Sequence, residues 1–178
     1  MTLRLHFNRF EEWPAAREAL PAAKRAARLA LETGARPADR EAAPRGGADG
    51  APGGAEVSFT CLGADEIAEM NRRYLDRDRP TDVIAFPLSE AGSAPVGDVY
   101  LCPDVALESA EERDLPAAEE VVRLVAHGAL HVLGHEHPEG EGRESSEMYR
   151  LQEEIVGRAL REAGDGPDGD GPDAGERR

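Results

Sequence analysis

Residues 117–133, AAEEVVRLVAHGALHVL, are apolar on nearly every side of a helix. A helix of that kind cannot lie on a surface and has to sit inside a core. It therefore needs other elements on several sides, which sets the architecture around it. Asp114 and Pro116 mark its start, and Gly134 is placed to end it. Two histidines, His127 and His131, lie inside this otherwise apolar stretch.

The flanking sequence supplies the partners. LRLHF (3–7) reads as a short strand. Pro21 in a first helical turn, Ala, Leu and Arg through 22–32, and Gly34 as a stop predict a helix. VSFTCL (57–62) alternates like a strand, and Asp65 is expected to cap a helix through DEIAEMNRRYL. VIAFPL (83–88) and VGDVYLC (96–102) are strand-like, and a last helix is expected over roughly 144–163, with Met148, Leu151, Ile155 and Ala159 on one stripe. Tyr74 and Phe86 read as core, and Asp98 with Gly97 as the start of a strand. The fold expected is a single α+β domain: a small mixed sheet, a buried metal-binding helix and flanking helices.

Four segments follow. Residues 1–33 hold the N-terminal strand and helix. Residues 34–55, GARPADREAAPRGGADGAPGGA, are too poor in apolar surface to offset their ordering entropy and read as a flexible insertion. Residues 56–163 form the core of a metallohydrolase. Residues 164–178 read as a disordered acidic tail.

Four of the five histidines crowd into residues 127–137, HGALHVLGHEH. Side chains four apart on a helix share a face, so His127 and His131 can reach one ion. Gly134 lets the chain turn, and His137 swings back as the third ligand. His135 is the alternative third ligand. Buried imidazoles without partners are costly, and an ion satisfies them. Three protein ligands with a fourth position open is the pattern of a catalytic zinc site, where the ion can lower the pKa of water to roughly 7. The expectation is one Zn2+ held by His127, His131 and His137.

Metal proteases with this histidine spacing carry a glutamate directly after the first histidine as general base. Gly128 stands there instead. A peptide substrate is thereby demoted, and Glu136 becomes the nearest candidate for a catalytic carboxylate. Arg72, Arg73, Arg77 and Arg79 form a local basic cluster. Of these, Arg73, Arg77 and Arg79 are candidate substrate contacts, since guanidinium groups bind phosphate as bidentate forks. Asp82 can pair with an arginine or cap a turn.

The net charge of −15 argues against a general nucleic-acid coat protein. A basic cleft can coexist with it, because screening limits repulsion to roughly 10 Å. There is no apolar run long enough for a membrane span and no secretory h-region, so a cytoplasmic protein is expected. Cys61 and Cys102 fit buried reduced thiols.

HGALHVLGHEH resembles the signature H-G-x-L-H-L-x-G-Y-D-H of the YbeY family of endoribonucleases. NRRYLDRDRPTDVIAFPL (71–88) resembles the family's N-x-x-Y-R-x-x-D-x-P-T-D-V-L-S-F-P segment, and VGDVYLCPDVA (96–106) its L-G-D-I-V-I segment. The resemblance spans about residues 56–160. It implies a zinc-dependent, single-strand-specific endoribonuclease acting in late small-subunit ribosomal RNA 3′-end maturation and ribosome quality control. Single-stranded ribosomal precursor RNA and the small ribosomal subunit are the implied partners; neither DNA nor a membrane is expected. The same resemblance places the zinc ligands on His127, His131 and His137. His135 and Glu136 stand where the motif has Tyr and Asp, and Leu75 stands where it has an arginine important for activity. Two alternatives remain open at this point: a ribosome-assembly binding factor with weak nuclease activity, and a zinc hydrolase of another substrate such as peptides.

Overall fold

The computed structural model describes residues 2–34, 54–90, 93–138 and 140–164. Strand β1 (Leu3–Asn8) leads through a 3-10 turn (Phe10–Glu12) into α1 (Pro14–Thr33). Then come β2 (Ala55–Cys61), α2 (Ala64–Leu75), β3 (Val83–Pro87), β4 (Val96–Leu101), α3 (Pro103–Glu112), α4 (Ala117–Val132) and α5 (Glu147–Gly164). The sheet order is β1-β2-β4-β3. β1 and β4 pair parallel with β2, while β3 runs antiparallel at the edge beside β4. The single domain with a small mixed sheet expected from the pattern is present.

Strand alternation decides which face is covered. Ala55, Val57, Phe59 and Cys61 point inward along β2, and the residues between them are half-exposed. The inward face packs on α4, whose residues 120–130 are buried throughout. α1 closes over α4 with a stripe of buried alanines, including Ala16, Ala19, Ala23, Ala26, Ala27 and Ala30. Small side chains let two helices approach closely, so α1 can lie along α4 without leaving gaps. α5 adds Met148, Ile155, Val156 and Ala159 to the same core. On the opposite face, α2 covers β3 and β4 through Ile67 and Met70 against Ile84, Phe86 and Tyr100. The central helix is thus enclosed by the sheet and by α1, α3 and α5, as its composition requires.

Several expectations are corrected. α1 begins at Pro14, and Pro21 lies within it rather than at its start. Pro21 is exposed, so the carbonyl that loses its helical donor there faces solvent. The cap of α2 is Gly63, not Asp65: Glu66 reaches back and accepts from the Gly63 N–H at 2.8 Å. Asp65 sits inside the first turn, where a carboxylate suits the helix dipole. Tyr74 is 57% exposed and does not belong to the core; its ring meets the edge of the partly buried Phe86 at 5.3 Å. α3 was not anticipated; Pro103 stands at its first turn, and Ala106 and Ala110 lie on its buried side.

Gly34, Gly54 and Ala55, the ends of the expected insertion, belong to the folded domain, with Ala55 fully buried in β2. The rest of that insertion and the acidic tail from residue 165 on lie outside the described residues. Cys61 and Cys102 are buried free thiols, and burial pushes the Cys61 thiol up to about 12. They are neither ligands nor nucleophiles. No helix among the described residues is long and apolar enough to cross a membrane.

Candidate metal centre

The site is built on the last turn and a half of α4 and its exit. His127 and His131 share one face of the helix, with ring centroids 4.5 Å apart. Leu133 ends the helix, and Gly134 follows at φ 82, a left-handed conformation that a side chain would strain. The chain turns there and brings the His137 ring to 5.1 Å from His127 and 5.2 Å from His131. Potential ligand atoms of the three residues all lie within 4.8 Å of one another. The turn at Gly134 thus sets the third ring beside the other two.

The ring nitrogens show why a cation fits. Nδ1 of His127 lies 2.7 Å from the Gln152 side-chain oxygen, Nδ1 of His131 lies 2.9 Å from the His135 carbonyl, and Nδ1 of His137 lies 3.0 Å from the Pro138 carbonyl. Carbonyl oxygens only accept, so each Nδ1 carries the proton and donates. Each neutral ring then presents a bare lone pair on Nε2. Those Nε2 atoms converge: His131 and His137 stand 3.0 and 3.4 Å from His127. Three lone pairs aimed at one point repel unless a cation or proton sits between them. Two nitrogens bound tetrahedrally to zinc at about 2.0–2.1 Å lie about 3.3 Å apart, which matches the observed spacings. These three residues could hold a metal ion.

Burial, and then the neighbouring His131, push the His127 pKa down to about 3. His131 is lowered as well, by burial and then by His137. The unfolded chain therefore holds more protons than the native one between about pH 6.5 and 3. Stability rises with pH across that window and is lost as pH falls through it. Metal-free protein is expected to melt several degrees lower at pH 5 than at pH 7.5, with the drop reduced in His127→Leu. Thermal unfolding in chelator checks this, and a flat profile would contradict it.

His135 is not a ligand. Its ring is buried, and Nε2 donates to the Gly34 carbonyl at the end of α1. The residue ties the exit turn to α1, and its own carbonyl orients His131. Glu136 is exposed, and its charge reaches His131, but among the described residues it bonds to none of the three rings. Gly128 explains itself by position. It faces the sheet, where an added Cβ would overlap Val99 Cγ1 and lie 3.1 Å from Cγ2. No carboxylate can stand there.

His127 also lines a cavity of about 290 Å³, together with Asp82, Arg143, Tyr149 and Gln152. Arg113 and Arg123 line it too, but both are paired with carboxylates. Among the described residues Arg143 makes no ion pair, and its charge is felt at both His127 and His131. Sequence reasoning did not single out Arg143 or Gln152. Arg73, Arg77 and Arg79 lie on α2 and the loop behind it, exposed, and do not line this cavity. The same loop ends at Asp82, which does. Asp82 caps the entry to β3 by accepting from the Val83 N–H at 2.8 Å. Buried Asn71 holds the loop by donating to the Arg79 carbonyl at 2.8 Å.

A histidine triad on the last turns of a buried helix and its exit, with one ring lining a cavity, fits a class: the metal-dependent hydrolases. The Endoribonuclease YbeY family profile matches residues 41–159, two thirds of the chain, and the chain belongs to that family. An Endoribonuclease YbeY from Persephonella marina is 40% identical over 104 residues, which is 56% of this chain and 67% of that one. Another from Salinispora tropica is 39% identical over 116 residues, 57% of this chain and 73% of that one. The fold is similar to the solution structure of TM1509 from Thermotoga maritima: TM-score 0.58 at 26% identity, covering 97% of this chain and 99% of that one.

Proposed function

We propose that the chain is a zinc-dependent, single-strand-specific endoribonuclease that acts in late maturation of the small-subunit ribosomal RNA 3′ end and in ribosome quality control. The observation that carries the metal dependence is the convergence of three Nε2 lone pairs at 3.0 and 3.4 Å, each ring fixed by a carbonyl on its other nitrogen. Family membership supports RNA as substrate. A donor set made only of imidazoles suits zinc. When bound there, the ion supplies Lewis acidity toward the phosphodiester and its attacking water.

This chain's own residues supply the rest. His127, His131 and His137 hold the ion. Arg143 is the phosphate contact at the cavity, since its charge is not taken up by a carboxylate. Arg73, Arg77 and Arg79 guide the strand farther out, and Glu136 is the exposed carboxylate nearest the ligands in sequence. Leu75, 47% exposed at the end of α2, cannot contact phosphate. Peptide hydrolysis is disfavoured because position 128 is closed to a general base.

The test is cleavage of a 3′-extended small-subunit precursor RNA by zinc-loaded protein, beside duplex RNA and single-stranded DNA. Cutting of the single-stranded RNA alone, stopped by chelator and restored by zinc, is expected. Cleavage that survives chelation would sink the reading, and binding without cleavage would point to an assembly factor. Arg143→Ala is expected to raise KM several-fold and to lower the salt slope of RNA binding by about one. An unchanged slope would remove Arg143 from the phosphate path.

A further inference from the structure

We infer that Gln152 is a positioning residue that decides which nitrogen of His127 faces the metal site, and that Glu153 decides which end of the Gln152 amide faces His127. The inference rests on His127 being a ligand, as read above.

The three ligand rings are not held alike. His131 and His137 donate to main-chain carbonyls, whose direction the backbone fixes. His127 donates to a side-chain amide. An amide has an accepting end and a donating end of nearly equal size, and a half-turn about its last bond exchanges them. If Gln152 turned its nitrogen toward His127, Nδ1 would have to accept, and the ring proton would move to Nε2. That nitrogen would then present a proton where the ion needs a lone pair.

Glu153 prevents the turn. Gln152 Nε2 donates to Glu153 Oε1 at 2.9 Å. An ionised carboxylate can only accept, so the amide must show it the nitrogen. Arg123 keeps that carboxylate in place with two hydrogen bonds, from Nε at 2.9 Å and from Nη2 at 3.2 Å. Arg123 is in turn fixed by Glu120 at 2.8 Å and Glu119 at 2.9 Å. Arg123 and His127 are four residues apart on α4, and Gln152 and Glu153 are neighbours on α5. The helix face that carries the ligand thus also carries the cation that orders its support. Gln152 is only 4% exposed, and both ends of its amide are taken up by protein partners.

The experiment reads ring nitrogens and zinc affinity, not RNA cleavage. Long-range 1H–15N correlation spectra of the metal-free, 15N-labelled chain at pH 7.5 report the tautomer of each histidine. Zinc affinity comes from competition with a chromophoric chelator. Wild type is expected to show His127 protonated on Nδ1 alone. Gln152→Met, similar in length but without a strong acceptor, is expected to show both tautomers and to lose ten- to a hundredfold in zinc affinity. Gln152→Glu, which keeps an acceptor there, is expected to keep the Nδ1–H form. The inference is overturned if wild-type His127 carries its proton on Nε2. It is equally overturned if Gln152→Met keeps a pure Nδ1–H ring and binds zinc within threefold of wild type. Should Gln152→Met fail to fold, the wild-type and Gln152→Glu spectra decide. A chain that binds zinc with this tautomer but cuts no RNA would fail the nuclease reading and leave this one standing.

Discussion

Gly128→Glu, which writes the protease-type glutamate into the helix, is expected to unfold the domain rather than create a peptidase. Position 128 points at β4, not at the metal site. Its missing Cβ is the reason α4 can lie so close to the sheet, for that atom would overlap a methyl of Val99. Overpacking of this kind costs about 1–3 kcal/mol before the carboxylate is considered. Burying the carboxylate unpaired between helix and sheet adds several more. The sum takes most of the about 5–15 kcal/mol that a domain has. Thermal unfolding settles it: a variant that melts cooperatively within about two degrees of wild type would show that the helix can lift from the sheet.

His131→Ala is expected to keep the fold and lose the metal. The His131 ring is only partly buried, and alanine is the best helix former, so the site opens toward solvent without harming α4. Two of three ligands remain, and zinc affinity should fall by more than a hundredfold. RNA cleavage should fall with it. Wild-type and variant protein purified identically should give matching circular dichroism and very different cleavage of a labelled single strand. Equal cleavage by both would place the nuclease activity outside this centre.

The parts of the centre that could be read from the chain are those encoded locally. His127 and His131 share a helix face because four residues make about one turn, and Gly134 marks the turn that returns His137. Those signals lie within eleven residues and needed no knowledge of the fold. Gln152 carried no such signal. It sits 25 residues from its partner on an ordinary amphipathic helix, and only the packing of α5 on α4 gives it meaning. Arg143 was hidden for the same reason, in a polar loop where an arginine is unremarked. His135 shows the converse: local spacing made it a possible ligand, and a contact 101 residues away removed it. Strand positions were legible from alternation, whereas β2 lying between β1 and β4 was not. Pro21 misled because proline more often opens a helix than continues one, and its exposure in α1 is a tertiary fact.

The central place of α4 bears on how the chain is made. Among the described residues the four strands precede it in sequence, ending at Leu101, while the helix that covers their apolar face ends at Val132. At about 5–20 residues per second, synthesis leaves that face uncovered for a time on the order of seconds. A nascent chain halted between the last strand and the end of α4 would display Val57, Phe59 and Val99 to the surroundings. Chaperone capture or self-association of such a fragment would follow from the order of elements alone. The histidine cluster is translated after the strands of the described sheet, so an ion can join only a chain whose sheet has already been synthesised.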